Sequence, residues 1–193
     1  MLWPKLRCLS STVLSELDRI LVCNSGKDLV VMTKDNQLYH YSEHISYSPE
    51  WNFASSCRVD VSFTVKQLES CECVLLVLSD LGDLYAWGKS KTGQLGFGSQ
   101  SNAFKPKLVK RGIELVCCGE QHILALARDG SLWAWGDNQH KQLGIELPEN
   151  CKERHQNRPV KVTFPEKITI FNVQCEATTS MVLTHSRQIL VWG

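Results

Sequence analysis

The chain has 193 residues, of which 43% are hydrophobic and 21% charged, as expected for a soluble globular domain or part of one. Its 21 basic and 20 acidic residues give a net charge of +1. Because nucleic-acid and anionic-membrane surfaces depend on summed positive charge, we expect neither as a direct partner.

Residues 1–20 are predicted to form an N-terminal leader or a first strand. The segment contains Lys5, Arg7 and several serines, and it has no acidic residue before Glu16. This composition mildly resembles a mitochondrial presequence. Only two positive charges are present and Pro4 would interrupt a helix, which favours the ordinary leader or strand.

Four segments then repeat one pattern, in which an apolar run leads through a tight turn into a strand with aromatic residues. We divide them into a degenerate copy (21–64), two full copies (65–112 and 113–167) and an incomplete copy (168–193). The apolar runs are Val30-Val31-Met32, Leu76-Val77-Leu78, Leu124-Ala125-Leu126 and Met181-Val182-Leu183. The turns are Asp35-Asn36, Leu81-Gly82, Asp129-Gly130 and Ser186-Arg187.

The third copy shows best why these segments predict strands. The apolar run 123–127 is typical of a strand covered on both faces, and an Asp-Gly pair supplies the positive φ of a hairpin. Period-two alternation then places Trp133 and Trp135 on one face and Ala134 on the other. With a preceding strand and edge strands beginning at Pro106 and Pro159, each unit has about four strands in roughly 50 residues, the size of a β-propeller blade.

Trp-Gly and Gln-Leu-Gly recur at the same internal spacing in LSDLGDLYAWGKSKTGQLGFG (78–98) and in LARDGSLWAWG (126–136) followed by QLG (142–144). This pattern resembles the RCC1 (regulator of chromosome condensation) repeat family. VLTHSRQILVWG (182–193) is a third match, and 26–41 is a degenerate fourth. The resemblance implies an all-β fold of RCC1-like β-propeller blades, with about three to four four-stranded repeats in an incomplete ring.

The family usually closes a seven-bladed ring, whereas this sequence stops in mid-blade at Trp192-Gly193. The hypothesis is therefore a truncated isoform, an incomplete gene model or a fragment. A repeat array needs neighbours and caps to bury its faces, so 1–193 expressed alone should expose apolar faces and aggregate or pack loosely. A soluble monomer with one sharp unfolding transition would contradict this.

No motif predicts catalysis, a cofactor or a metal site. The glycines of residues 93–98 are in the wrong order for a phosphate loop, so they predict a tight turn instead. The nine cysteines include no Cys-x-x-Cys pair, and we expect buried free thiols in a reducing interior. His122 begins an apolar strand, and the RCC1 pattern commonly has a histidine there, so the resemblance implies that His122 packs and hydrogen-bonds between neighbouring blades.

One insertion breaks the repeat. The segment between Gly144 and Pro159 is longer than the corresponding segment before Pro106. Near its end cluster Lys152, Arg154, His155 and Arg158, which we predict as partner-binding residues for an acidic protein surface or a phosphate group. The alternative is a solvated loop without a partner.

The resemblance implies a non-enzymatic interaction or regulatory module that acts as a scaffold or adaptor in the cytoplasm or nucleus. Partners would be proteins, among them a small GTPase or a protein of the chromatin or ubiquitin pathways. One alternative is a guanine nucleotide exchange factor for a small GTPase, as for the founding member. The other is a mitochondrial RCC1-like protein.

Overall fold

A computed structural model describes residues 15–23, 28–42, 58–100, 102–146 and 154–193 of the chain. The chain divides into two compact units, Met1–Thr64 and Val65–Gly193. Regular structure in the described residues is nearly all antiparallel β-sheet, and each sheet consists of strands that are consecutive in sequence. The predicted all-β class is confirmed.

The first unit contains one four-stranded sheet, sheet 1, in the order β1-β2-β3-β4. Strand β2 is buried along its whole length, as its continuous apolar run predicts. Strand β1 begins inside the predicted leader, whose first 14 residues lie outside the described residues. The strands are β1 Leu17–Cys23, β2 Asp28–Thr33, β3 Leu38–Ser42 and β4 Arg58–Val59.

The second unit contains three sheets that pack face to face in sequence order. Sheet 2 comprises β5 Val65–Cys71, β6 Val74–Ser79, β7 Leu84–Gly88 and β8 Ala103–Lys110. Sheet 3 comprises β9 Ile113–Cys118, β10 His122–Ala127, β11 Leu132–Asp137 and β12 His155–Lys161. Sheet 4 comprises β13 Ile170–Glu176, β14 Thr179–Thr184 and β15 Ile189–Trp192.

The central hairpin of every sheet turns where the sequence predicted. The second turn residue is left-handed in all four, with φ of 65° at Asn36, 88° at Gly82, 82° at Gly130 and 64° at Arg187. The turn geometry is therefore kept in the last sheet although Arg has replaced Gly. A side chain at positive φ is strained, so Arg187 costs the last hairpin some stability.

The alternation of β11 divides its side chains between two cores, as predicted. Trp135 is fully buried in the apolar cluster between sheets 2 and 3, and Trp133 packs against the same cluster. Ala134 belongs to the cluster between sheets 3 and 4. Sheet 3 thus contributes one face to the core that it shares with sheet 2 and the other face to the core that it shares with sheet 4.

The glycine of each Trp-Gly pair is required by a close backbone approach. Gly88, Gly136 and Gly193 all have positive φ, at 123°, 103° and 118°. A Cβ on Gly136 would collide with the carbonyl oxygen of Gln121, and the other two glycines meet equivalent carbonyls in their own sheets. The aromatic strand can lie this close to its neighbour only without a side chain there.

The edge strands extend further than predicted. β8 and β12 lie at sheet edges, where proline is tolerated, but they begin at Ala103 and His155, upstream of Pro106 and Pro159. The prediction was wrong about their starts because an edge strand bonds on one side only, so a proline inside it removes no ladder hydrogen bond. The boundaries proposed for the four copies stay a prediction.

Candidate functional site

The predicted basic residues lie at the start of β12. Lys152 lies outside the described residues. Arg154 directly precedes the strand and is exposed, His155 is its half-buried first residue, and Arg158 is exposed within it. The sequence predicted that these residues lie in a loop. His155 and Arg158 lie instead on an ordered edge strand.

Backbone hydrogen bonds hold this segment in place. The amide of Asn138, after β11, donates to the carbonyl of Arg154 at 2.8 Å. The amide of Gly98, in the loop after β7, donates to the carbonyl of Asn157 at 2.8 Å. The start of β12 is thus bound to its own sheet and to the neighbouring sheet, so the arginine side chains project from a fixed backbone.

A basic and aromatic surface surrounds this junction. The guanidinium of Arg158 packs on Gly98, where a Cβ would collide with it. The Lys107 ammonium on β8 lies 4.6 Å from the ring centroid of half-buried Phe97, a cation–π contact. Lys107 and Arg158 therefore flank the Phe97-Gly98 dipeptide from two adjacent edge strands.

The charges on this surface are unneutralised within the described part of the chain. Neither Arg154 nor Arg158 forms an ion pair with a described residue. Nε2 of His155 lies 3.1 Å from Nε2 of Gln100. We call Lys107, Phe97, Arg154, His155 and Arg158 the basic edge.

The Gln-Leu-Gly loops are structural. In the first, the Gln94 side chain accepts hydrogen bonds from its own loop, including the amides of Lys91 and Thr92. Its backbone carbonyl accepts the indole N–H of Trp135 at 2.8 Å. The loop predicted as a tight turn thus orders itself and presents an acceptor to the next sheet.

The second loop repeats this contact. The carbonyl of Gln142 accepts the indole N–H of Trp192 at 2.9 Å and the hydroxyl of Ser180 at 2.6 Å. Nε2 of buried His122 lies 2.9 Å from Oγ of Ser180. His122 on sheet 3 and Ser180 on sheet 4 confirm the predicted hydrogen bond between neighbouring blades.

The cysteines are free thiols in the described residues, as expected, but one contact between them was missed. Sγ of Cys117 on β9 lies 2.8 Å from Sγ of Cys175 on β13. A signal for it was available, since each cysteine is the last residue but one of the strand that precedes the central hairpin in successive copies. No cluster of three or more potential metal ligands occurs in the described ranges.

The described residues include no helix with the length and apolar character needed to cross a membrane.

Comparison with known proteins identifies the fold and the family. The family model described as the regulator of chromosome condensation (RCC1) repeat matches residues 82–126 and 129–183, and a second RCC1 repeat model matches 113–142. Among solved structures, human WBSCR16 aligns with a TM-score of 0.71 at 21% identity, over 86% of this chain and 45% of that one. Prp20p of Saccharomyces cerevisiae aligns with a TM-score of 0.71 at 18% identity, over 92% and 45%.

Curated relatives include far longer proteins. The E3 ubiquitin-protein ligase HERC2 of Mus musculus is 27% identical over 191 residues, which cover 92% of this chain and 4% of HERC2. The probable E3 ubiquitin-protein ligase HERC4 of Homo sapiens is 37% identical over 57 residues, 28% of this chain and 5% of HERC4. Since the repeat model covers more than half of the sequence, the chain belongs to the RCC1 repeat family and its sheets are RCC1-like β-propeller blades.

Proposed function

We propose that the chain is a non-enzymatic protein-interaction module, a scaffold or adaptor, that binds an acidic protein surface through the basic edge. The observation that carries this proposal is the pair Arg154 and Arg158, exposed and without a carboxylate partner among the described residues. Guanidinium groups bind carboxylates through two parallel hydrogen bonds, which gives both strength and orientation.

The fixed backbone supports this role. Because β12 is bound to two sheets, its arginines lose less conformational freedom on binding than they would in a free loop. Phe97 adds an aromatic surface beside the charges. Aromatic residues and arginine are the side chains most enriched in protein–protein binding hot spots.

The relatives are compatible with a protein partner. The Prp20p structure is described with its binding properties to Gsp1p and histones, and another Prp20 structure contains Kap60. The HERC relatives are named ubiquitin ligases, but this chain spans only 4–5% of their length. We therefore assign no ligase activity to it, and a small GTPase or a chromatin or ubiquitin-pathway protein remains the proposed partner class.

The test is a charge reversal of the basic edge. The double variant Arg154→Glu/Arg158→Glu should lose at least tenfold in affinity for partners captured by cross-linking and affinity purification with the unmodified chain. The control, Lys167→Glu/Arg187→Glu, changes the same charge at exposed residues elsewhere and should keep these partners. Retention of every partner by the first variant would refute the proposed surface.

A nucleotide-release assay separates scaffolding from guanine nucleotide exchange. A scaffold leaves nucleotide release from a panel of small GTPases unchanged, whereas an exchange factor accelerates it. Acceleration that depends on the basic edge would replace the scaffold proposal with exchange.

We also propose that the protein resides in the cytoplasm or nucleus. The six free thiols among the described residues support this, since free thiols are typical of reducing compartments. Imaging with a C-terminal tag tests this. Import into mitochondria would favour the presequence interpretation of residues 1–20.

A further inference from the structure

Two cysteines from different sheets meet where sheets 3 and 4 pack together. Their sulfur atoms are 2.8 Å apart and form a thiol–thiol hydrogen bond, although the residues are 58 positions apart in sequence. A disulfide bond has a length of ~2.05 Å, so the two sulfurs are less than about 1 Å from bonding distance. Both residues are half-buried and retain some contact with solvent.

A histidine lies beside this pair. His122 is fully buried, and Ser180 uses its own hydroxyl hydrogen to bond the Gln142 carbonyl. Ser180 Oγ therefore accepts a hydrogen bond from Nε2 of His122, which carries the ring proton. Nδ1 of the same ring has no hydrogen-bond partner among the described residues.

The two sulfurs are not equivalent. The hydrogen bond from Cys117 and, after it, the neighbouring imidazole of His122 lower the pKa of Cys175 to about 6, although burial acts in the opposite direction. The hydrogen bond to Cys175, together with burial, raises the pKa of Cys117 well above its usual range. Cys175 is thus the thiolate of the pair, and Cys117 is the thiol that stabilises it.

The other ionisable groups near the pair do not compete for this role. Burial raises the pKa of Cys71 and of Cys118 well above the usual range, so both remain thiols. Burial also raises the pKa of the Glu69 carboxyl. Nucleophilic thiols are ionised and lie beside a positive or hydrogen-bonding group, a description that only Cys175 meets among these cysteines.

We propose that Cys175 and Cys117 form a redox-active site that reacts with hydroperoxides and closes into a disulfide between sheets 3 and 4. The Cys175 thiolate attacks one peroxide oxygen and breaks the O–O bond. The departing oxygen takes a proton from solvent and leaves as water or an alcohol, and Cys175 becomes a sulfenic acid. The Cys117 sulfur then attacks the Cys175 sulfur, the S–O bond breaks, and the hydroxyl leaves as water with the Cys117 proton. The peroxide is reduced by two electrons and the two thiols are oxidised to one disulfide.

The experiment treats the full 193-residue chain with hydrogen peroxide and maps the cysteines by mass spectrometry without reduction. The expected product is a Cys117–Cys175 cross-link, formed with the loss of two hydrogens and reversed by dithiothreitol. Its rate should fall about tenfold between pH 7 and pH 5, because the thiolate fraction of Cys175 falls by that factor around a pKa of about 6. Free thiols after treatment, a cross-link at other cysteines, or a rate that still rises at pH 9 would overturn the proposal.

Variants assign the two roles. In Cys117→Ser a sulfenic acid at Cys175 should accumulate and react with dimedone, whereas in Cys175→Ser no label should appear at Cys117. Cys73→Ser, at another half-buried cysteine, is the control and should keep the cross-link. If a variant fails to fold, iodoacetamide labelling of the unmodified chain decides, since Cys175 should react at least tenfold faster than Cys71 or Cys118.

Discussion

The second unit offers two junctions between successive sheets, and they can be compared position by position. At both, a tryptophan of the later sheet donates its indole N–H to the glutamine carbonyl of the earlier sheet, Trp135 to Gln94 and Trp192 to Gln142. At the first junction the tryptophan is fully buried, whereas at the second it is half-buried. The same indole-to-carbonyl hydrogen bond thus forms with a fully buried tryptophan at one junction and with a half-buried tryptophan at the other.

The surrounding positions differ more. At the first junction the Gln67 side chain bonds both the carbonyl and the amide of Val116, at 2.7 Å and 3.3 Å. In sheet 3, Leu115 occupies the position equivalent to Gln67, because the two residues pair with equivalent positions of the adjacent hairpin strand. Leucine has no side-chain amide, so the second junction lacks these two hydrogen bonds. His122, Ser180 and the close cysteines replace them there.

The comparison separates two kinds of residue in a repeat. Those that recur, such as the tryptophan and its acceptor loop, hold neighbouring sheets at one geometry. Those that vary between copies decide what the junction can do. The first junction has an apolar core, an amide link and a surface ion pair, whereas the second holds two sulfurs in contact beside an imidazole. Function is therefore best sought where the copies differ.

The largest expected effect is the loss of the buried tryptophan. Trp135→Ala should lower the free energy of unfolding by about 3–5 kcal/mol, because a large aromatic side chain leaves a cavity in the core between sheets 2 and 3. Trp192→Ala should cost about 2 kcal/mol, because that ring buries less surface. Urea unfolding followed by circular dichroism measures both, and equal losses would mean that the two junctions do not differ in burial as described.

A smaller effect should follow from the amide link. Gln67→Leu leaves two backbone groups of Val116 without their partner and should cost about 1–3 kcal/mol. The control is Gln174→Leu on β13, an exposed glutamine, which should change stability by less than about 0.5 kcal/mol. Similar values for both variants in the same urea titrations would show that the link adds nothing to the first junction.

The smallest effect concerns the exposed pair Lys66 and Glu114, whose Nζ and Oε1 lie 2.7 Å apart across the first junction. Lys66→Met should cost about 0.2–1 kcal/mol at pH 7. The Lys66 hydrogen bond lowers the pKa of Glu114, so the pair stabilises the fold above the unfolded-state pKa and this contribution disappears as pH falls through the lowered folded-state pKa. Stability curves of both proteins should therefore converge in acid, whereas Lys105→Met should show no such pH dependence. Parallel curves would contradict the prediction.

The fold was predictable because its signals are local. Apolar runs, turn residues and the Trp-Gly spacing gave the central hairpins, including the Ser186-Arg187 turn, where the glycine is absent. The starts of β8 and β12 were not predictable in this way. They depend on partners such as Gly88 and Asp137, distant in sequence, that determine how far each edge strand can pair.

The candidate sites were predictable only in part. The basic residues before Pro159 stood out by composition, but their attachment to the loop at Gly98 needs the packing of two sheets. The inter-sheet bond of His122 followed from the RCC1 resemblance, because the repeat pattern commonly has a histidine at that position. Cys117 and Cys175 occupy neighbouring and not identical positions of their strands. Their contact therefore depends on a shift of about one residue between the two adjacent sheets. A comparison of copies at identical positions misses such a pair.

The tryptophan contact has a direction along the chain, because the acceptor loop always precedes its donor in sequence. A chain that leaves the ribosome from its N-terminus has therefore synthesised the loop at Gln94 before Trp135 emerges, and the loop at Gln142 before Trp192. At these two junctions the acceptor loop of the earlier sheet is already synthesised when the tryptophan of the later sheet emerges. The sheets can therefore pack in the order of synthesis, without a partner segment from later in the chain.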